Sequence, residues 1–130
     1  MKRFRIAWLT QPKAGNYPAA LSYLKLLFDD KTAGKYVQRL RRAPVTKFKS
    51  KDIFRASTLS LLGVSNYFVE KDRKKILEGE KLSPILLVRG DFVTGQALQI
   101  ADGYHRVCAS FHTDENTDIP CRTAAADTQG

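Results

Sequence analysis

The sequence has few of the features that hold small or membrane-bound proteins together. It contains only two cysteines, Cys108 and Cys121, among 130 residues. They do not form a C-x-x-C pair, so we predict two buried thiols rather than a zinc site or a redox couple. The longest unbroken apolar stretches are four residues, at 6–9 and 85–88. A membrane-spanning helix needs about 20 apolar residues, so we expect none and predict no membrane partner.

Acidic residues are scarce in the first half of the chain. Residues 1–55 hold 14 Lys and Arg against 3 Asp and Glu, whereas residues 56–130 hold 8 against 10. The basic start resembles the leader of a signal peptide, but Thr10, Gln11 and Pro12 interrupt the apolar stretch that follows. We therefore expect a cytoplasmic protein.

The basic half predicts either a solvated surface or a polyanion-binding one. Lys35, Arg39 and Arg42 have the spacing of one helix face, and DNA or RNA is the candidate partner. The predicted nucleic-acid-binding residues are Lys35, Arg39, Arg41, Arg42, Lys47, Lys49 and Lys51.

The positions of glycine and proline and the spacing of apolar residues predict one α+β domain. It would consist of a basic, mainly helical segment over 1–55, a small mixed sheet with packed helices over 56–123 and a flexible tail over 124–130. Four helices are predicted. The first starts after Pro18 and continues to about Phe28, and the second runs from the Asp29-Asp30 cap to Pro44. The third runs from Asn66 to about Glu78 with Phe68, Val69, Ile76 and Leu77 inward, and the fourth starts at Tyr104. The predicted strands are 85–88, 98–101 and 119–123, and no structure is predicted for 45–65.

The segment 98–106, LQIADGYHR, carries the most chemistry. A strand is predicted to run through Asp102 and Gly103 directly into a helix. The first amides of a helix lack intrahelical acceptors, so a phosphate can bind there. His105 and Arg106 would add donors, and Asp102 would cap the helix or hold a metal ion such as Mg²⁺.

Two stretches, GEKLSPILLV at 79–88 and IADGYHRVCA at 100–109, resemble the ParB/sulfiredoxin superfamily over roughly residues 65–123. ParB proteins carry Gly-Glu-Arg-Arg or Gly-Glu-His-Arg at a helix start that holds nucleotide phosphates. Gly103, His105 and Arg106 match this pattern, and Tyr104 stands in the place of its Glu. Sulfiredoxins have a catalytic cysteine at that place, so repair of sulfinic acids is not expected here. Free serine kinases of the same superfamily carry Asp-Gly-His-His-Arg, which Asp102 also matches.

The resemblance implies a nucleotide ligand (ATP, ADP or CTP), with Mg²⁺ as a candidate cofactor. Phosphate would be bound by Ser83, Gly103, Tyr104, His105 and Arg106. Asp102, which is also the predicted metal ligand, and His105 would be catalytic, and Glu70 is the candidate base.

The sequence is compatible with three functions. The first is a nucleotide-binding domain that hydrolyses or transfers a phosphoryl group. The second is a nucleic-acid-binding protein or ParB-like nuclease that uses the basic half. The third is an interaction module without chemistry. The sequence predicts neither whether the protein is an enzyme nor its oligomeric state.

Overall fold

The computed structural model describes residues 5–125. This part of the chain forms five helices and four strands and is therefore an α+β domain, as predicted. In chain order they are α1 (Asn16–Leu24), α2 (Asp30–Arg42), β1 (Val45–Lys49), α3 (Ser50–Ser57), α4 (Tyr67–Leu77), β2 (Ile85–Val88), β3 (Gln99–Asp102), α5 (Tyr104–Thr113) and β4 (Asp118–Ala124).

The four strands form one mixed sheet in the order β1-β4-β2-β3. The central strands β2 and β4 are parallel, whereas β1 and β3 pair antiparallel at the two edges. β1 comes from the basic segment 1–55, and its five residues pair with β4 from the other half of the chain. The two halves therefore share one sheet.

Helices cover both faces of this sheet. On one face, α1 and α2 pack against a core that includes Leu86 and Val88 of β2. On the other face, α3 and α5 pack against Ile85 and Leu87 of the same strand. All four residues of β2 are buried, which confirms the prediction of a strand covered on both sides. The helix α4 packs against α5 on the outside of this second layer.

Local signals placed most helix ends correctly. The side chain of Asp29 caps α2 by accepting from the Thr32 amide, and Asn66 caps α4 by accepting from the amides of Phe68 and Val69. Both cysteines are free and buried, and burial raises the pKa of the Cys121 thiol to about 12. Burial also raises the pKa of the Cys108 thiol, and a raised pKa disfavours the thiolate, which is the nucleophilic form.

The expectations for α1 and α4 were wrong in part. The first helix begins at Asn16 rather than after Pro18, because a proline is tolerated in the first turn, where no intrahelical acceptor is needed for its nitrogen. It ends at Leu24 rather than near Phe28, and Leu27 is half-exposed in the turn that follows. In α4, Val69 and Ile76 are buried, but Phe68 and Leu77 are 53% and 62% exposed. These two side chains do not belong to the core.

The C-terminal strand is longer than predicted. Ala124, expected in the tail, is the last residue of β4 and is buried, and the rest of the predicted tail after residue 125 lies outside the described residues. No helix within residues 5–125 is long and apolar enough to cross a membrane.

Candidate functional site

The predicted strand-to-helix junction forms as expected. β3 ends at Asp102, Gly103 is the N-cap of α5 at φ 114°, and the first helical hydrogen bond runs from the Val107 amide to the Gly103 carbonyl. A Cβ at position 103 would lie 2.4 Å from Cγ2 of Ile85. Glycine is therefore required here by its positive φ and by close packing against β2.

Asp102 does not cap the helix, contrary to one of the two predicted roles. Its Oδ2 accepts a hydrogen bond of 2.8 Å from Nη2 of Arg106, one turn into α5. Both side chains are at least four-fifths buried. Nη1 of Arg106 also donates to Oδ1 of Asn16 at 3.1 Å, at the start of α1. The guanidinium thus ties the junction to the first helix, which leaves it less free to contact a ligand than the sequence suggested.

Ser83 lies beside this network and is also engaged by it. Its hydroxyl accepts from the Lys13 amide at 2.9 Å and from the Asn16 side chain at 2.6 Å. The buried serine therefore holds the turn before α1 against the start of β2.

A cavity of about 220 Å³ opens at the N-terminus of α5. It brings together five of the predicted site residues, namely Ser83, Asp102, Tyr104, His105 and Arg106, with the backbone of Gly103. Three lysines that the sequence did not single out also line it, and they come from three separate segments: Lys13, Lys75 and Lys81. Four cationic side chains therefore face two carboxylates in one cavity.

The second carboxylate is Asp72 rather than the predicted Glu70. Glu70 is exposed and lies 3.8 Å from Lys74 in a surface pair outside the cavity lining. Asp72 lies two residues further along α4 and lines the cavity. Two residues correspond to about 200° around a helix, so the two side chains face opposite ways. The sequence signal was available in the helical spacing, but only the packing of α4 on α5 shows which face is turned inward.

Burial perturbs both carboxylates in the cavity. It raises the pKa of Asp72, while Lys75, Arg106, His105 and Lys71 act in the opposite direction. It also raises the pKa of Asp102, against the charge and hydrogen bond of Arg106. The cations offset only part of the cost of desolvating these groups.

Aromatic rings adjoin the cavity. The His105 ring lies 5.1 Å from the Phe68 ring and 5.6 Å from the Tyr104 ring, measured between centroids. Tyr67 packs edge-on against Phe68. Tyr104 donates its hydroxyl proton to the Ser60 carbonyl, and burial raises the pKa of its phenol. We call Tyr67, Phe68, Tyr104 and His105 the aromatic patch. Phe68, expected in the core, belongs to it instead.

The predicted nucleic-acid-binding residues occupy another part of the surface. Lys47 and Lys49 pair with Pro120 and Asp118 in the sheet register, which puts them on the same face as Arg122. Arg122 donates to the Arg41 carbonyl of α2 at 2.5 Å, so this is the face that α2 covers.

α2 supplies most of the remaining predicted cations to this face. Its C-terminus carries Arg39, Arg41 and Arg42, and Lys35 lies one turn earlier. The guanidinium of Arg41 lies 4.4 Å from the Tyr17 ring centroid. Lys51 belongs to α3, which packs on the opposite face.

Residues 5–125 contain no group of three or more His, Cys, Asp or Glu side chains placed to hold a metal ion. Comparison of the chain with models of protein families, with curated proteins and with solved structures found no match. The resemblance to the ParB/sulfiredoxin superfamily therefore stays a prediction based on its motifs.

Proposed function

We propose that this protein binds the phosphate groups of a nucleotide in the cavity at the N-terminus of α5. The observation that carries the proposal is the convergence of Lys13, Lys75, Lys81 and Arg106 on the open end of that helix. Against them stand only Asp72 and Asp102, so the lining has a net charge of about +2 by simple counting of ionised side chains. Unpaired helix amides and an excess of cations both favour an anion.

The size of the cavity favours a phosphate chain over a whole nucleotide. Its volume of about 220 Å³ is below the range of roughly 300–1,000 Å³ that is typical of sites for entire small molecules. The nucleoside would lie outside, where the aromatic patch offers exposed ring faces to a base. Stacking of a base on such rings contributes about 1–3 kcal/mol. ATP, ADP and CTP all meet these requirements.

Phosphoryl transfer or phosphate hydrolysis is the reaction class that fits these groups. The lysines would offset charge on the phosphoryl oxygens. Among residues 5–125, Asp72 has no ion pair of the Asp102–Arg106 kind, so it is the better placed carboxylate to accept a proton from an attacking hydroxyl or water. A Mg²⁺ that enters with the nucleotide would be held by Asp72 or Asp102 together with phosphate oxygens, and it would neutralise phosphate charge.

The test compares two pairs of lysines by calorimetric titration with ATP, ADP, CTP and inorganic pyrophosphate. Replacing Lys75 and Lys81 by Ala removes two cations from the cavity, whereas replacing Lys71 and Lys74 by Ala removes the same charge outside it. We expect the first pair to weaken binding at least about tenfold, because a hydrogen bond to a charged group contributes about 1.5–3 kcal/mol. The control pair should change affinity less than about threefold, through long-range charge alone.

The Phe68→Ala variant distinguishes the contribution of the nucleoside to binding from that of the phosphates. It should weaken ATP, ADP or CTP binding and leave pyrophosphate binding unchanged. Equal losses in the two lysine pairs, or the absence of saturable binding by any of the four compounds, would refute the proposal.

A second candidate function, binding of DNA or RNA, is supported by the position of β1. All five residues of this edge strand are exposed, and Lys47 and Lys49 extend the basic face of α2 along the sheet. A backbone-binding surface of this kind loses affinity steeply with salt. We expect the Lys47→Ala/Lys49→Ala variant to lower the slope of log K against log salt for a single-stranded oligonucleotide by about 1.4, or about 0.7 per lost phosphate contact. An unchanged slope would refute this function, and the Lys71→Ala/Lys74→Ala variant is again the matched control.

A further inference from the structure

A second cavity lies at the opposite end of β2 from the phosphate cavity. Its volume is about 370 Å³, and it opens between α3, the ends of β2 and β4, and the loop 90–98. Because β2 and β4 are parallel, their C-terminal ends meet at this edge. Crevices at the carboxyl ends of parallel strands are a common place for ligands to bind. We call this space the strand-end cavity.

The walls of the strand-end cavity are mainly apolar. They include Phe48 of β1, Ile53 of α3, Leu87 of β2 and Leu98, which directly precedes β3. Phe92, in the loop at the rim, is fully exposed to solvent. An exposed phenylalanine beside an apolar cavity of this size leaves a continuous surface on which an apolar group can be buried.

One polar atom on the sheet side of the cavity lacks a partner. Oγ1 of Thr123 is buried and makes no hydrogen bond within the described residues. Thr123 pairs with Leu87 in the register, so both side chains are on the face that lines the cavity. A buried hydroxyl without a partner is unfavourable unless a ligand or water supplies one.

An exposed arginine, Arg89, lies at the same end of the cavity as Thr123. Arg89 follows two residues after Leu87, so its side chain is on the same face of the extended chain as Leu87 and Thr123. Its guanidinium is exposed and forms no ion pair within the described residues, whereas Asp52 on the far wall is already paired with Arg55 at 3.1 Å. The Asp91 carboxylate accepts from the Val93 amide within its own loop.

We propose that the strand-end cavity binds a small amphipathic carboxylic acid. Its carboxylate would accept hydrogen bonds from Arg89 and from the Thr123 hydroxyl at the strand ends. Its aromatic or aliphatic body would lie against Phe48, Ile53 and Leu98. The site is separated from the phosphate cavity by the length of β2, so the proposal does not depend on nucleotide binding.

The test is an NMR titration of the ¹⁵N-labelled protein with 4-phenylbutyrate and, in parallel, with the neutral 4-phenylbutyramide. With 4-phenylbutyrate we expect saturable chemical-shift changes at the backbone amides of Leu87, Leu98 and Thr123. The neutral 4-phenylbutyramide should bind at least about fivefold more weakly. Arg89→Gln and Thr123→Val should each weaken binding of the acid at least about threefold and narrow its advantage over the amide.

Ala56 provides the matched pair of variants, because it lines the cavity from an exposed position on α3. Ala56→Trp fills the space and should abolish binding, whereas Ala56→Ser leaves the space open and should retain it within about twofold. Circular dichroism of each variant shows whether it is folded. Absence of saturable shifts, or binding that survives in folded Ala56→Trp, would overturn the site. Equal binding of acid and amide would overturn the assignment of a carboxylic acid.

Discussion

Breaking the Asp102–Arg106 ion pair should destabilise the fold more than the loss of any other polar contact at the candidate site. Arg106→Ala removes the one ion-pair partner that the Asp102 carboxylate has in the described part of the chain, and it removes a donor to Asn16. The Asp102 side chain is 20% exposed. Leaving one charge of a mostly buried pair uncompensated costs about 2–4 kcal/mol, somewhat below the figure for a fully buried pair. The lost hydrogen bond to Asn16 adds about 1 kcal/mol.

The sum, about 3–5 kcal/mol at neutral pH, lies below the unfolding free energy of most domains, about 5–15 kcal/mol. We therefore expect Arg106→Ala to fold but to melt at a temperature lower by about 10–25 °C, since about 1 kcal/mol corresponds to roughly 3–5 °C in a domain of this size. Urea unfolding of the wild type, both single variants and the Asp102→Asn/Arg106→Ala double variant measures the coupling directly.

Two features of the result would identify the cause. Asp102→Asn should recover about 2 kcal/mol in the Arg106→Ala background, because it removes the unpaired charge. The defect should also shrink as the pH falls. Arg106 lowers the pKa of Asp102 against the effect of burial, so without it that pKa rises further, and protonation then removes the unfavourable charge. A strictly additive double variant, or a defect that is the same at about pH 5 and about pH 7, would refute this account.

Three further perturbations follow from local geometry. Gly103→Ala should lower the free energy of unfolding by about 2–5 kcal/mol in urea, because of the positive φ and the collision with Ile85. Gly34→Ala, in open space within α2, should raise the free energy of unfolding by about 0.5–1 kcal/mol. An equal effect of the two substitutions would contradict the packing argument. Asn66→Ala should cost about 1 kcal/mol, since the side chain caps two amides of α4. Asp72→Asn should raise the melting temperature at neutral pH, and the gain should fade on acidification: the folded-state pKa of Asp72 is raised, so the stability that its protonated form contributes is lost as pH rises through that value. A gain that does not depend on pH would show that the charge of Asp72 is not its cause.

The elements with strong local signals were predictable from the sequence. α2 has a capping aspartate, an apolar stripe at Tyr36, Val37 and Leu40, and a proline after its end. β2 has four apolar residues in a row, which only a strand covered on both faces can bury in a short segment. In each case the interactions that define the element lie within a few residues of one another.

β1 and α3, within residues 45–65, could not be predicted in this way. The five residues of β1 are exposed, and each face of the strand mixes an apolar with a polar side chain: Val45 lies on the face of Lys47 and Lys49, and Phe48 on the face of Thr46. Its pattern therefore indicates no buried face. Its conformation is set by pairing with β4, which is about 70 residues away in sequence. A similar limit applies to Lys13, Lys75 and Lys81, which converge on one cavity only after α1, α4 and β2 are in place.

The Asp-Gly-x-His-Arg segment illustrates why residue identities alone do not establish a binding site. Gly103 is required by its φ and by Ile85, while Asp102 and Arg106 satisfy each other and Asn16. Folding contacts thus account for three of the motif's four defined residues without any ligand. Within residues 5–125, the folding contacts leave unexplained the helix terminus itself and the lysine side chains around it, of which only Lys75 has an electrostatic partner, Asp72. The lysine variants therefore test ligand binding, whereas substitution of Arg106 mainly tests stability.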